Sequence, residues 1–356
     1  MLKDFGFAHH TSRWVRAWMA VVIVLALPVQ VFSCLWDYDT LQQERSRFPS
    51  TLELVTGKFW RHSAEFYEWR IQDRLERLKS DPKNLDFLDD LAVAYQKTGL
   101  HGKAVQVMLD KDKLKPGEYK TYANLGTFYI LGGDFNQGLP YIDKALAIDP
   151  NAHFGREKYQ KWLVEYAQLR IKDGKLEFPL RRERQNATDS DPIEYPVFGD
   201  YVLKYEGNKQ DLTPGQLKSA IKGVQGMMRF ADHDNPLLLE ALGDLLLAAN
   251  NSVNARQLAA RCYLQASYVV SDKTAAQSYR DYAELALCLQ LRKGVEGDVQ
   301  TLANLEAEFQ KELAQAKKWY AVLKQKELAM IKNGRGVETQ FDRLSARDPS
   351  AIGVAP

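Results

Sequence analysis

Part of the chain repeats at a period of 34 residues, and this repetition constrains the fold more than any other feature. Residues 85–118 (LDFLDDLAVAYQKTGLHGKAVQVMLDKDKLKPGE) align without a gap on residues 119–152 (YKTYANLGTFYILGGDFNQGLPYIDKALAIDPNA). A fixed period of roughly 20–50 residues is typical of solenoids, in which each repeat packs on its neighbours. The chain is therefore expected to form a stack of repeated units.

The two copies share large, small and helix-ending residues at matching positions. The second copy has Tyr122, Leu125, Gly126, Tyr129, Gly133, Gly138, Ile142, Ala145 and Pro150, and the first has Leu88, Leu91, Ala92, Tyr95, Gly99, Ala104, Met108 and Pro116. On these residues the copies resemble the tetratricopeptide repeat, although Lys111 stands where that family has a small residue. The resemblance implies an all-α fold, a helix-turn-helix α-solenoid.

Small residues explain part of this spacing. Gly126 and Ala92 would let one helix cross its partner closely, and Gly133 and Gly99 would end helices in a left-handed conformation. Flanking helices are expected over residues 63–80 and 153–172, so that repeats and flanks together occupy residues 37–172.

A different composition follows over residues 173–212, which contain three prolines, a basic and an acidic cluster, and one expected strand at 201–205. This long loop is either a solvated linker packed along the solenoid edge or a lid or docking arm over the groove. A second helical region is predicted over residues 213–333. It begins with Thr213-Pro214-Gly215-Gln216, which is typical of a capped helix start.

The second region resembles a third, diverged repeat through Leu239, Leu242, Gly243, Leu246, Ala255 and Ala259. A helix is expected over 273–291, and apolar residues at steps of three and four over 302–330 predict one long amphipathic helix. Glu327 interrupts its apolar seam. The long helix either seals the end of the stack or allows self-association, and residues 334–356 are expected to form a flexible tail.

The N-terminal region predicts contact with a membrane. Residues 17–36 carry no charge, and a helix of about 20 apolar residues spans a bilayer core. Basic residues precede this segment and acidic residues follow it, so residues 1–16 are expected in the cytoplasm and the bulk of the chain across the membrane. The segment is either a retained anchor or a signal peptide. Val31-Phe32-Ser33-Cys34 resembles a bacterial lipobox, which would make Cys34 a lipidation site and place the chain on the periplasmic side of a bacterial envelope.

Composition and motifs exclude several functions. With 48 basic and 46 acidic residues, the chain lacks the positive excess of a nucleic-acid binder. No metal-binding, phosphate-binding or serine-nucleophile motif occurs, so no cofactor, no metal and no catalytic residue is predicted. His233-Asp234 is interpreted as the polar part of a turn between helices. Cys262 and Cys288 are expected to be small core residues.

A protein or peptide partner is the favoured expectation. The resemblance implies that the first helix of each repeat lines a concave groove. The side chains expected there are Asp86, Asp89, Asp90, Val93 and Gln96 from the first repeat, and Lys120, Ala123, Asn124, Thr127 and Ile130 from the second. The sequence favours a membrane-tethered scaffold for protein–protein interaction. A structural subunit or spacer of an envelope complex is the alternative, and an enzyme without a recognisable motif ranks third.

Overall fold

A computed structural model describes residues 37–38, 48–181, 197–206, 211–249, 253–288 and 300–346. The predicted membrane segment at 17–36, with Cys34 and residues 1–16, lies outside these ranges. Within them, no helix has the length and apolar character that crossing a bilayer requires.

The described part of the chain is all-α, as predicted. It contains fourteen α-helices: α1 (Thr51–Thr56), α2 (Ala64–Ser80), α3 (Leu85–Lys97), α4 (His101–Leu114), α5 (Tyr119–Leu131), α6 (Phe135–Ile148), α7 (Arg156–Gln168), α8 (Phe198–Tyr205), α9 (Pro214–Phe230), α10 (Pro236–Ala248), α11 (Val253–Val269), α12 (Lys273–Cys288), α13 (Leu302–Asn333) and α14 (Val337–Ser345). A 3₁₀ turn at Ala152–Gly155 precedes α7. The strands β1 (Ile171–Lys172) and β2 (Lys175–Leu176) form a small antiparallel hairpin.

The 34-residue period of the sequence is visible in the helices. α3 and α5 begin 34 residues apart, and so do α4 and α6. From α2 to α7, each helix packs on the next. Gly126 allows the closest approach, because a Cβ atom there would lie 2.5 Å from Ile142 Cδ1. Gly99 and Gly133 follow α3 and α5 with φ of 77° and 84°, in the left-handed region where glycine is favoured.

The second helical region continues directly from α7. The helix α9 packs on α7, and from α9 to α14 each helix again contacts the next. The start of α9 has the predicted capping box, in which Thr213 accepts from the backbone of Gln216 and the side chain of Gln216 binds back. At the junction, Gly223 of α9 lies against the ring of Tyr159 of α7.

The last two helices return to the beginning of the described chain. α13 contacts α1 and α2, and Trp60 packs edge-on against Trp319 and Phe341. The residue that interrupts the apolar seam of α13, Glu327, is buried and accepts from the backbone N–H of Ser63 at 2.9 Å. Its other oxygen contacts His62 Nδ1 at 2.5 Å. The seam of α13 is thus covered by other helices of the same chain.

Two local predictions were wrong. Residues 201–205 lie in helix α8, because Phe198, Tyr201, Val202 and Tyr205 recur at helical steps, and the first three are buried together. Cys288 is exposed near the end of α12, whereas Cys262 is buried as expected.

Candidate partner-binding face

Three of the side chains expected in the groove line one open cavity. Asp86 and Asp89 of α3 and Lys120 of α5 lie on the wall of a cavity of about 800 Å³ between α3, α4 and α5. Asp86 is exposed and Lys120 is half-buried, and their charged groups are 3.5 Å apart. These three residues and their cavity are called the open groove below.

The other predicted groove residues are buried within the chain. Asp90 accepts from Arg74 Nε at 2.8 Å and from the backbone of Tyr38 at 2.9 Å. Asn124 donates to Met108 Sδ, and Thr127 accepts from Gln160. The remaining four are Val93, Gln96, Ala123 and Ile130.

Repeat spacing identified the inward side of α3 and α5, but it could not show which other segments cover that side. The structure therefore narrows the accessible part of the predicted face to the open groove. A role for any of these residues in partner binding stays a prediction.

Asp89 is the one buried carboxylate of the open groove. Its Oδ1 accepts from Lys111 Nζ at 2.5 Å, and both side chains are almost fully buried. Burial raises the pKa of Asp89 to about 7 although Lys111 opposes the shift. Lys111 is the residue that departs from the repeat pattern, and its pairing with Asp89 gives the reason. The second oxygen, Oδ2, is buried and has no hydrogen-bond partner in the described part of the chain.

A second acidic residue occupies the same helix position elsewhere in the molecule. α3 and α10 are each 13 residues long and each begins after an asparagine N-cap, Asn84 or Asn235. Asp89 is the fifth residue of α3, and Glu240 is the fifth residue of α10. The structure of the chain around Glu240 therefore shows what a carboxylate at this position can bind.

Glu240 holds a segment of the chain's own backbone. Its carboxylate accepts from the backbone N–H groups of Leu180 and Arg181, with 2.9 Å to the nitrogen of Leu180, and from the hydroxyl of Tyr279 at 2.6 Å. Leu180 is buried against the same helices. This part of the expected 173–212 loop therefore docks on the helices of the second region.

One turn further along α10, Asp244 receives the side chain of the docked segment. The guanidinium of Arg181 donates to Asp244 and to the hydroxyl of Tyr263, each at 3.4 Å, and lies over the ring of Tyr282. Burial raises the pKa values of both Glu240 and Asp244, and each carboxylate raises that of the other. Glu240 and Asp244, which we call the clamp, were not predicted as site residues. Their sequence signal was the pair of acids one turn apart in a leucine-rich helix.

The described residues contain no group of histidine, cysteine, aspartate and glutamate side chains that could hold a metal ion. The arrangement that the structure does offer is non-covalent: buried carboxylates that accept main-chain N–H groups, bordered by exposed charges. No protein-family model matches the chain, and neither curated proteins nor solved structures give a significant match.

Proposed function

We propose that the chain is a membrane-tethered scaffold that binds a segment of a partner protein in the open groove. The observation that carries this proposal is the clamp, in which α10 holds the Leu180–Arg181 backbone through Glu240. The open groove has Asp89 at the equivalent helix position, with one carboxylate oxygen that no described group binds. A main-chain N–H of a partner would satisfy that oxygen.

The charges of the open groove favour a partner segment of mixed charge. Asp86 and Lys120 stand at its rim, and Lys115, Glu118 and Asp149 line the same cavity. Because the equivalent of Asp244 in α3 is Val93, the groove has no counterpart of the arginine site of the clamp. We therefore expect recognition of the partner through its backbone and through paired surface charges, without a buried arginine.

The repeat architecture supports the same function. The helices α3 to α6 follow the 34-residue period, and the sequence of residues 85–152 resembles the tetratricopeptide repeat. A helix-turn-helix α-solenoid of this kind offers its inner helices to a protein or peptide. We propose that the chain is such a solenoid.

The proposal is tested by exchanging the rim charges. Asp86→Lys combined with Lys120→Asp keeps the net charge and the ion pair but reverses their order in the groove. The matched control is Asp110→Lys combined with Lys113→Asp, which exchanges an exposed ion pair on α4 outside the groove. Neighbours of the tethered protein are recorded by proximity labelling. Loss of one dominant neighbour in the groove variant alone supports the scaffold, whereas identical neighbours in both variants would overturn it.

The second candidate function is a structural subunit or spacer of an envelope complex. The observation that favours it is the burial of most predicted groove residues and the packing of α13 and α14 on α1 and α2. A spacer would bind neighbours through scattered outer surfaces, so both charge exchanges would leave its neighbours unchanged.

The tether is proposed from the sequence of residues 17–36. It places the helical stack on the extracytoplasmic side of a bacterial envelope, through either a retained anchor or a lipid on Cys34. Membrane fractionation after metabolic palmitate labelling, with Cys34→Ala as the comparison, distinguishes these forms. Label that Cys34→Ala abolishes indicates the lipoprotein, and an unlabelled protein in the membrane indicates the anchor. Recovery in the soluble fraction would refute the tether.

A further inference from the structure

A second cavity, which is separate from the open groove, lies where the two helical regions face each other. It has a volume of about 250 Å³ and is bordered by residues 61–67, the C-terminal end of α3 and the turn from α9 to α10. We call this cavity the chamber. Arg61, Lys97 and His233 lie on its wall, together with Arg229.

Lys97 places an ammonium group in the chamber without a nearby carboxylate. Its Nζ donates to the backbone carbonyl of Ala231 at 3.3 Å, and no described carboxylate forms an ion pair with it within 4 Å. Burial lowers the pKa of Lys97, which shows that its charge is poorly solvated there. A buried ammonium is normally paired, because an isolated one is costly.

Arg61 brings a second cation to the same space. Its guanidinium donates to the carbonyl oxygen of Gly57 and lies over the rings of Tyr320 and Phe59. Among the described residues, no carboxylate lies within 4 Å of it. Burial lowers the pKa of Arg61 too.

His233 adds a polar group that lacks a partner. Its ring packs on Gly57 and edge-on against Phe59, and its Nδ1 is buried without a hydrogen bond in the described part of the chain. Burial, with Arg61 and Lys97 nearby, lowers the pKa of His233 to about 3. The imidazole is therefore neutral and carries one N–H that can donate.

Three carboxylates also line the chamber, and none of them neutralises these cations directly. Asp232 and Asp234 are exposed at its mouth, where water screens their charges. Asp37 pairs with Arg70 at 3.1 Å. Their long-range attraction acts on Lys97 and Arg61, but the space between the two cations contains no negative group of the described chain.

We propose that the chamber binds a small oxyanion, a carboxylate or phosphate group, through Lys97, Arg61 and His233. Such a ligand pairs both cations and supplies a hydrogen-bond partner for the imidazole. The volume suits inorganic phosphate or a short dicarboxylic acid, since sites for larger ligands are typically about 300–1,000 Å³. This inference does not depend on the function proposed for the open groove.

The test measures binding of two probes to the intact chain in mild detergent. Inorganic phosphate and succinate are titrated separately at low ionic strength, by calorimetry and by the shift of the thermal midpoint. The variant Lys97→Met keeps the length of the side chain and removes its charge. Lys113→Met removes an exposed lysine of α4 and is the control. We expect affinity to fall about tenfold or more in Lys97→Met and to remain unchanged in the control.

The sign of the stability change separates this role from a structural one. Without anion, Lys97→Met removes an unpaired buried charge, so its thermal midpoint should equal or exceed that of the wild type. The imidazole ¹⁵N signals of His233 report binding independently, and they should shift with the probe that binds. Binding of phosphate alone or of succinate alone identifies the source of the oxyanion. Absence of binding by both probes, or equal binding in Lys97→Met and wild type, would overturn the proposal.

Discussion

Replacing Gly223 by alanine tests the junction between the two helical regions. Gly223 lies inside α9, and a Cβ atom there would be 2.4 Å from Tyr159 Cδ2 and 2.9 Å from Cγ. The ring of Tyr159 is fully buried in α7, and its hydroxyl donates to Glu206 at 3.1 Å. The ring therefore has little freedom to move away from the added methyl group.

The expected magnitude is a balance of two terms. Overpacking a filled core costs about 1–3 kcal/mol, and alanine gains about 0.5–1 kcal/mol over glycine within a helix. Gly223→Ala should therefore lower the free energy of unfolding by about 1–2 kcal/mol. Gly215→Ala in the first turn of the same helix is the matched control, because no atom lies within 4 Å of its added Cβ. The control should leave stability unchanged or raise it slightly.

The assay is urea unfolding followed by circular dichroism, extended to a double-mutant cycle with Tyr159→Ala. Removing the ring makes room for the methyl group, so the combined effect should be smaller than the sum of the single effects by about 1 kcal/mol or more. The reasoning is refuted if Gly223→Ala behaves like Gly215→Ala, or if its effect simply adds to that of Tyr159→Ala. Either result would mean that α9 does not rest on α7 as described.

Three further predictions concern buried carboxylates. Glu327→Ala should lower stability by about 2–4 kcal/mol because it leaves the backbone N–H of Ser63 buried without an acceptor, whereas exposed Gln325→Ala on the same helix should change it little; equal effects in urea unfolding would contradict this. Burial raises the pKa of Asp89 to about 7 from its ordinary value near 3.8, so the folded state binds a proton more tightly than the unfolded state. The stability of the wild type relative to Asp89→Asn should therefore rise as the pH falls from about 8 to about 5, by at most about 1.4 kcal/mol per pH unit, and a pH-independent difference would oppose it. Glu240→Gln weakens the acceptor of two backbone N–H groups, so hydrogen exchange of residues 180 and 181 should accelerate roughly tenfold or more, and unchanged protection would disprove the clamp.

The helical repeats were predictable because their determinants are local. The period of 34 residues, the helix-ending glycines and the cap at Thr213 each depend on side chains only a few positions apart, and the structure contains all of them. The expected strand at 201–205 failed because five residues are too few to separate alternating from helical periodicity.

The site was less predictable, since its contacts join distant parts of the chain. Glu240 binds Leu180 across 60 positions, and Glu327 binds His62 across 265. Repeat spacing gives no information about such pairs. In the sequence, Lys111 was an unexplained departure from the repeat, and Glu327 was a break in an apolar seam. Both are explained by a partner that only the folded chain brings near.

The return of α13 and α14 to α1 and α2 has a consequence for synthesis on the ribosome. An open stack of repeats can acquire structure unit by unit as it emerges, because each unit contacts only its neighbours. Here Trp60 and Ser63 are made early, whereas Trp319, Glu327 and Phe341, which cover them, are made more than 250 residues later. The first helices must therefore wait, with an apolar face uncovered, until translation is nearly complete. A stalled or truncated product would keep that face exposed to chaperones and proteases.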